Sequence, residues 1–225
     1  MINKLDWDSD FFEIEVGELI YENNSNVENS NDFGLLYIKS NQQFNVEING
    51  FVNNFHETKI VFSKNIIQNN LNSTNIISIN QIDFNVTEIY DLAYESGKYS
   101  RFFLDKNFKK NKFLELYQKW VDNSISGQFA NDVLIYQERN QIMGFVTYKT
   151  KNNEATIGLI AVSPNHQGKG IGGKLLHFVE NELFQKNIKT LLIPTQENNL
   201  AACNFYKKQG YQVHEITFIK HYWKK

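Results

Sequence analysis

Apolar and polar positions in the first half of the chain change over short distances. Apolar runs at residues 11–21 (FFEIEVGELIY), 33–39 (FGLLYIK) and 58–63 (TKIVFS) are separated by connections rich in Asn and Ser. Within these runs apolar residues tend to alternate with polar ones, a period that is typical of β-strands. We therefore predict a small N-terminal α/β domain over residues 1–85, in which these runs are strands.

From about Val86 onward the apolar residues follow the period of an α-helix. Residues 86–97 (VTEIYDLAYESG) and 112–127 (KFLELYQKWVDNSISG) place apolar side chains along one helical face, and each segment ends in a glycine. Glycine is common just after the last residue of a helix. We predict two helices here, which open a second domain over residues 86–225.

Three strand candidates follow the two helices, at residues 132–139, 141–150 and 154–163. The polar joins between them are short enough for hairpin turns, so this part of the sheet should be antiparallel. Beyond a glycine-rich segment the pattern predicts a helix, a strand at residues 190–196, a second helix, and a last strand or hairpin at residues 211–223.

Composition narrows the class of protein. The chain has 225 residues, a net charge of −2 and one cysteine, Cys203. This balance does not favour binding to nucleic acid or to an anionic membrane, and a single cysteine excludes an internal disulfide. No cluster has the spacing of a metal site, and no apolar run approaches the length of a membrane helix. The acidic N-terminal segment does not resemble a signal peptide, so we expect a cytoplasmic protein.

The glycine-rich segment QGKGIGGK, residues 167–174, fits more than one phosphate-binding pattern. Gly168, Gly170 and Gly173 match the dinucleotide fingerprint, and Gly168 to Lys174 nearly match a Walker A loop. The Walker reading lacks the Ser or Thr that should follow the lysine. The dinucleotide reading lacks a parallel sheet, because the preceding strand closes an antiparallel meander. A turn that binds nothing is a further alternative.

A third pattern has independent support. The letters QGKGIG, residues 167–172, resemble the acetyl-CoA pyrophosphate loop of the GNAT superfamily of N-acetyltransferases. A second motif of that family is similar to residues 199–211, through Asn199, Ala202, Tyr206, Gly210 and Tyr211. The resemblance covers roughly residues 86–225. It implies the GNAT fold, an α/β (α+β) arrangement with a mixed, mostly antiparallel sheet flanked by helices and splayed between the two strands that flank the loop and its helix.

The resemblance also implies the site residues. Acetyl-CoA would be the co-substrate, without a metal. Its pyrophosphate would bind the loop, and its pantetheine arm would add to the edge of the preceding strand. Tyr206 would be the general acid for the thiolate, or else a packing residue beside Phe205; Asn199 would contact the coenzyme or cap its helix. The residues implied for the coenzyme are Ile160, Ala161, Val162, Gln167, Gly168, Lys169, Gly170, Ile171, Gly172 and Asn199.

Three residues bear on the chemistry less directly. Pro194 is informative because proline removes a donor from a strand ladder, so the strand either splays there or ends early. For the general base the nearest candidate is Glu154, and a base is dispensable if the amine is partly neutral at pH 7. Buried packing is the expected role of Cys203.

A closer resemblance concerns the acceptor. Residues 5–20 and 99–125 are similar to segments of dTDP-fucosamine N-acetyltransferases. This implies acetylation of the 4-amino group of a dTDP-linked 4-amino-4,6-dideoxy sugar during surface polysaccharide assembly, with Arg101 and Lys106 as candidate partners of the diphosphate. Pairing of Arg101 with Asp105 is the alternative. A homodimer is a further expectation, and acetylation of another amine or a non-catalytic acyl-CoA-binding module stay open.

Overall fold

The structure is a computed structural model that describes residues 1–22, 27, 30–68 and 75–225. Within these residues ten strands form one sheet. In chain order the strands are β1 (Asn3–Lys4), β2 (Val16–Ile20), β3 (Leu35–Ser40), β4 (Phe51–Asn65), β5 (Ile76–Ser78), β6 (Asp132–Glu138), β7 (Gln141–Lys151), β8 (Glu154–Val162), β9 (Thr190–Gln196) and β10 (Gln212–Lys224).

The strands lie in the order β1-β2-β3-β10-β4-β9-β8-β7-β6-β5. Among the described residues the pairs β2/β3 and β8/β9 are parallel and the other neighbouring pairs are antiparallel. The predicted meander is confirmed as β6, β7 and β8, because two-residue turns at Arg139–Asn140 and Asn152–Asn153 join its strands. The predicted mixed, mostly antiparallel α/β fold is therefore confirmed.

Helices cover both faces of the sheet. The described α-helices are α1 (Asp6–Phe12), α2 (Val86–Gly97), α3 (Arg101–Leu104), α4 (Lys110–Ile125), α5 (Ile171–Gln185) and α6 (Leu200–Lys208). Helices α5 and α6 pack with Phe62, Tyr148 and Ile193 on one face. Helices α2 and α4 pack with Ile135 and Phe145 on the other face. The alternation of side chains along each strand feeds both cores.

One sequence expectation needs correction at the level of elements, and one open alternative is decided. The apolar run at residues 11–21 does not form one strand, because its first residues end helix α1 and strand β2 begins at Val16. Glu13 lies between them with a φ of 59°, a left-handed conformation that ends the helix. The segment at the C-terminus is a single long strand, β10, rather than a hairpin.

Strand β10 ties the first part of the chain to the last. It pairs with β3 on one side and with β4 on the other, and β4 also pairs with β9. Strands from residues 1–85 and from residues 86–225 therefore share one sheet. The boundary expected at residue 85 stays a prediction about folding units, which the shared sheet alone does not test.

The sheet opens between β8 and β9. These parallel strands pair at Glu154, Ala155 and Thr156, opposite Thr190 to Leu192, and their ladder ends there. Beyond this point β8 keeps its pairing with β7 up to Val162, and β9 keeps its pairing with β4 up to Gln196. The expected splay between the two strands that flank the glycine loop and α5 is therefore present.

Candidate active site

A cleft of about 1530 Å³ occupies the opening between β8 and β9 and continues over the sheet face that carries α2, α3 and α4. Side chains from both halves of the chain line it. The splay end is lined by Ile160, Ala161 and Val162, and the far end by residues of β3, β4 and β10. A ligand lying along the cleft would therefore contact residues from both halves of the chain.

Pro194 lies in β9 where one neighbour of that strand has separated. It stands opposite Val61 in β4, two residues beyond the last residue that pairs with β8. A proline there removes no donor from the β8 ladder, because that ladder has already ended. The strand continues to Gln196, so the alternative that the proline ends the strand early is wrong.

A β-bulge in β8 turns the strand at the opening. Ile157 stands opposite Tyr148 and Ile160 opposite Val146, so β8 has one residue more than β7 over this interval. The Leu159 N–H donates to Thr147 Oγ1 at 2.9 Å. A Cβ at Gly158 would lie 2.8 Å from the same oxygen, so this position requires glycine. The extra residue reverses the alternation of side chains along β8.

The bulge is a feature that the sequence prediction missed. Ile157 packs into the core under α5, whereas Leu159 packs into the core under α2. Ile160 and Val162 then return to the α5 side, and Ala161 lies on the α2 side. A glycine within an otherwise apolar strand was the signal in the sequence that could have indicated the bulge.

The glycine loop presents backbone rather than side chains to the cleft. Gly168 and Gly170 have φ values of 77° and 78°, which disfavour residues with a Cβ. Gly170 is the N-cap of α5, and no side chain caps that helix. The first N–H groups of α5 are therefore open to an anion at the positive end of the helix dipole. Gln167 Nε2 donates to the Val162 carbonyl at 3.1 Å, which fixes the loop to β8.

Other expected loop residues have different surroundings. At Gly172 a Cβ would lie 3.1 Å from the ring of Phe205, so the absence of a side chain there allows α5 and α6 to approach. The side chain of Ile171 is buried in the core, which leaves its backbone for the cleft. Lys169 is exposed and does not line the cleft. Lys174 donates to the Tyr136 hydroxyl at 3.2 Å, unlike a Walker lysine on a phosphate.

Tyr206 lies on α6 at the wall of the cleft. Its side chain is 5% exposed and packs against Phe62 and Phe205. Within the described residues its hydroxyl makes no hydrogen bond. Burial raises the pKa of Tyr206 well above its usual range, with a smaller contribution from Cys203, so the phenol keeps its proton. The packing role and a place on the cleft wall are therefore both present.

Asn199 caps α6 and also lines the cleft. Its side-chain oxygen accepts from the Ala202 N–H at 3.2 Å, and this contact satisfies one of the free donors of the helix. Cys203 is buried one turn before Tyr206, and burial raises the pKa of its thiol. A protonated, buried thiol is suited to packing rather than to nucleophilic attack.

The far end of the cleft has a charged floor on the sheet. Lys39 in β3 stands opposite Ile219 in β10, and Ile219 stands opposite Glu57 in β4. Lys59 is two residues after Glu57, on the same face. These side chains come from strands that are distant in sequence, and the order β3-β10-β4 brings them together.

Arg101 forms part of the wall above this floor. Its Nη1 lies 3.7 Å from Glu57 Oε1, and its guanidinium group packs over the ring of Tyr37 at 4.7 Å. The alternative pairing with Asp105 is not formed, because Asp105 accepts from Trp223 at 2.9 Å and contacts His221 at 2.6 Å. Lys106 is exposed and does not line the cleft. The cleft wall therefore includes Arg101 but not Lys106.

Glu57 is a further carboxylate that the sequence prediction missed. Its side chain is 7% exposed, and its Oε2 has no hydrogen-bond partner within the described residues. Burial raises the pKa of Glu57, and the nearby Arg101 lowers it by a smaller amount. Glu154 is exposed at the start of β8 and does not line the cleft. Glu57 does not lie in a recognisable sequence motif, so spacing alone could not identify it as a residue of the cleft.

The described residues contain neither a candidate metal cluster nor a candidate membrane-spanning helix. Within that part of the chain, no three His, Cys, Asp or Glu side chains are grouped so that they could hold a metal ion. No described helix has the length and the apolar character that crossing a membrane requires.

Comparison with known proteins identifies the family. Residues 86–211 match the Acetyltransferase (GNAT) family, and this segment is more than half of the chain. The ribosomal protein bS18-alanine N-acetyltransferase of Haemophilus influenzae is 38% identical over 105 residues, which cover 47% of this chain and 68% of that protein. The spore coat polysaccharide biosynthesis protein SpsD of Bacillus subtilis is 27% identical over 136 residues, or 60% of this chain. The match spans 46% of the length of SpsD.

Solved structures agree on the fold. A functionally unknown conserved protein from Staphylococcus epidermidis has a TM-score of 0.62 at 12% identity, covering 94% of this chain and 84% of its own. A GNAT-family acetyltransferase from Novosphingobium aromaticivorans has a TM-score of 0.58 at 10% identity, covering 85% and 74%. With the match over residues 86–211 and the glycine loop at a splayed sheet, this chain belongs to the GNAT family of acetyltransferases.

Proposed function

We propose that the chain acetylates the 4-amino group of a dTDP-linked 4-amino-4,6-dideoxy sugar. One observation carries this proposal: both segments that resemble dTDP-fucosamine N-acetyltransferases contribute to the far end of the cleft, which we call the acceptor end. Residues 5–20 supply Glu18 and Ile20, and residues 99–125 supply Arg101 among other side chains. The name of SpsD, which refers to spore coat polysaccharide biosynthesis, also supports an acceptor of the carbohydrate class.

The coenzyme half of the proposal assigns a role to each group at the splay. Backbone N–H groups of residues 168–172 would bind the pyrophosphate, since they lie at the uncapped start of α5. Ile160, Ala161 and Val162 would bind the pantetheine arm through their backbone edge, from which β9 has separated. Gln167 would hold the loop in place, and Asn199 would hold the start of α6.

The acetyl transfer needs two proton movements. The amine nitrogen attacks the acetyl carbon and forms the new C–N bond, and the C–S bond then breaks. Tyr206 would donate its phenolic proton to the departing sulfur, and burial, which raises its pKa, keeps the phenol protonated until the C–S bond breaks. Glu57 would accept the proton that the amine loses, directly or through water, because its buried carboxylate has a raised pKa.

A thiol-release assay over a panel of amines tests the proposal. The panel contains dTDP- and UDP-linked 4-amino sugars, the same sugars without a nucleotide, polyamines, and a peptide with an N-terminal alanine. The peptide is included because of the 38% identity to the bS18-alanine N-acetyltransferase. We expect the highest kcat/KM with the dTDP-linked sugar. A peptide or polyamine acetylated faster than all nucleotide sugars would contradict the proposed acceptor.

A further inference from the structure

A second hollow of about 520 Å³ continues the acceptor end of the cleft. Ile20, Lys39, Glu215 and Thr217 line both spaces, so the two are joined along β3 and β10. From β9, which borders the splay, to β3 is three strand spacings, or about 14 Å. A ligand that reached from the acetyl group to the hollow would therefore be longer than a single sugar ring.

The charges between the cleft and the hollow are unevenly paired. Lys39 forms an ion pair with Glu18, and Arg101 pairs with Glu57. Lys59 is half-buried and makes no ion pair or hydrogen bond with any described residue. Burial, together with the cations Lys39 and Arg101, lowers the pKa of Lys59, and Glu215 and Glu57 oppose this effect at longer range. An anionic group beside Lys59 and Lys39 would relieve the repulsion between these cations.

The hollow itself has a different character from this row of cations. Its wall includes the rings of Tyr21 and Phe44, which stack at 5.2 Å between centroids. The amide side chains of Gln42 and Gln43 lie beside them, and the carboxylates Glu22 and Glu215 also line the space. These acidic groups disfavour a phosphate in the hollow. An uncharged planar ring with hydrogen-bonding edges suits it better.

Unpaired backbone adds to the polar groups of the hollow. Strand β3 ends at Ser40, which stands opposite Phe218 in β10. The preceding residues of β10, from Gln212 to Thr217, pair with β4 on one side and have no strand partner on the β3 side within the described residues. Their outward N–H and C=O groups can therefore bond to a ligand edge beside Glu215 and Thr217.

We propose that the hollow beyond Lys39 binds the base of a nucleoside diphosphate, whose two phosphates lie against Lys59 and Lys39. This inference rests on the proposed function, since the nucleoside diphosphate would be the carrier of the acceptor sugar. It moves the diphosphate site from Arg101 and Lys106 to the two lysines on the sheet. Arg101 is then a wall residue that holds Glu57.

Calorimetric titration with thymidine diphosphate and with inorganic pyrophosphate tests this site without any acetyl transfer. We expect Lys59→Met to weaken the binding of both ligands at least tenfold, because the methionine keeps the stem and removes the charge. Phe44→Ala should weaken the binding of thymidine diphosphate at least fivefold and leave the affinity for pyrophosphate unchanged. Lys119→Met removes an exposed lysine from α4, outside the cleft, and should change neither affinity.

A fourth variant guards against loss of the fold. Thr217→Glu places a carboxylate opposite Lys59 on the cleft floor. It should weaken the binding of thymidine diphosphate and of pyrophosphate tenfold and leave the Kd for acetyl-CoA unchanged. If wild-type protein does not bind thymidine diphosphate, or if Lys59→Met and Thr217→Glu bind it as wild type does, the inference is wrong. Binding that follows the expected pattern, with no amino sugar acetylated, would overturn the proposed function and leave the nucleotide site in place.

Discussion

At the scale of single residues, Tyr206 carries the clearest chemical expectation. Its phenol is buried at the cleft wall and makes no hydrogen bond with a described residue, so it is available to a leaving thiolate. We expect Tyr206→Phe to lower kcat by about 10²–10⁴-fold, the usual contribution of a general acid. The ring, its packing and the affinity for acetyl-CoA should be retained. Steady-state kinetics with saturating acetyl-CoA measures this change.

The matched control for this variant is Tyr90→Phe. Tyr90 lies on α2, outside the cleft, where its hydroxyl donates to Asp122 at 2.6 Å. Removing that hydroxyl should leave kcat unchanged. Equal kcat values for Tyr206→Phe and wild type would show that the proton reaches the sulfur by another route.

Glu57 leads to a prediction about pH. Because burial raises its pKa, the carboxylate becomes protonated at a higher pH than an exposed glutamate, which titrates near 4.5. A protonated Glu57 cannot accept the proton of the amine, so kcat/KM should fall as pH decreases through this raised pKa. Glu57→Gln should lower kcat/KM and remove this decrease from the pH profile of kcat/KM, that is, its acidic limb. A glutamine variant with the wild-type acidic limb would exclude Glu57 as the proton acceptor.

At the scale of elements, the loop before α5 leads to a prediction about glycines that have a positive φ. Alanine at Gly170 must adopt a φ near 78°, which costs about 1–2 kcal/mol in stability. Gly127 has a φ of 84° after α4, outside the cleft, and alanine there should cost a similar amount. We expect Gly170→Ala to weaken the binding of acetyl-CoA at least tenfold. Gly127→Ala should leave the affinity for acetyl-CoA unchanged. Calorimetric titration and urea unfolding of both variants give the two quantities.

The same scale shows what a sequence can and cannot predict. The loop, Tyr206 and Asn199 lie within short motifs, so the resemblance of those motifs to the GNAT family was enough to single them out as candidates. The charged floor at the far end of the cleft is different, because Lys39, Glu57 and Ile219 become neighbours through the pairing of β10 with β3 and β4. No local pattern encodes that pairing. The long separation of these strands along the chain is the reason that Glu57 and Lys59 were missed.

At the scale of the whole molecule, β10 also links to the helical layer through a buried pair. His221 is fully buried, and its Nδ1 lies 2.6 Å from Asp105, which follows α3. Burial lowers the pKa of His221 to about 4, against the opposing effect of Asp105. The native state therefore favours neutral His221, while the unfolded chain binds a proton near pH 6.5.

Stability should follow from this difference in pKa. The contribution of His221 is complete above pH 6.5 and is lost as pH falls from there through its lowered pKa in the native state. Urea unfolding between pH 7.5 and 4.5 should show this slope, and His221→Gln should flatten it. His56→Gln, at an exposed position on β4, should keep the wild-type slope. An unchanged slope in His221→Gln would assign the pH dependence to other groups.

The shared sheet makes a prediction about the boundary at residue 85. In a fragment of residues 86–225, β10 would lose both neighbours, β3 and β4, and β9 would keep only its three pairs with β8. The core under α5 would also lose Ile60 and Phe62. We expect this fragment to lack cooperative unfolding and affinity for acetyl-CoA, and to regain both when residues 1–85 are co-expressed with it. A fragment that unfolds cooperatively and binds acetyl-CoA alone would instead mean that residues 86–225 fold independently and that the pairs with β3 and β4 are dispensable.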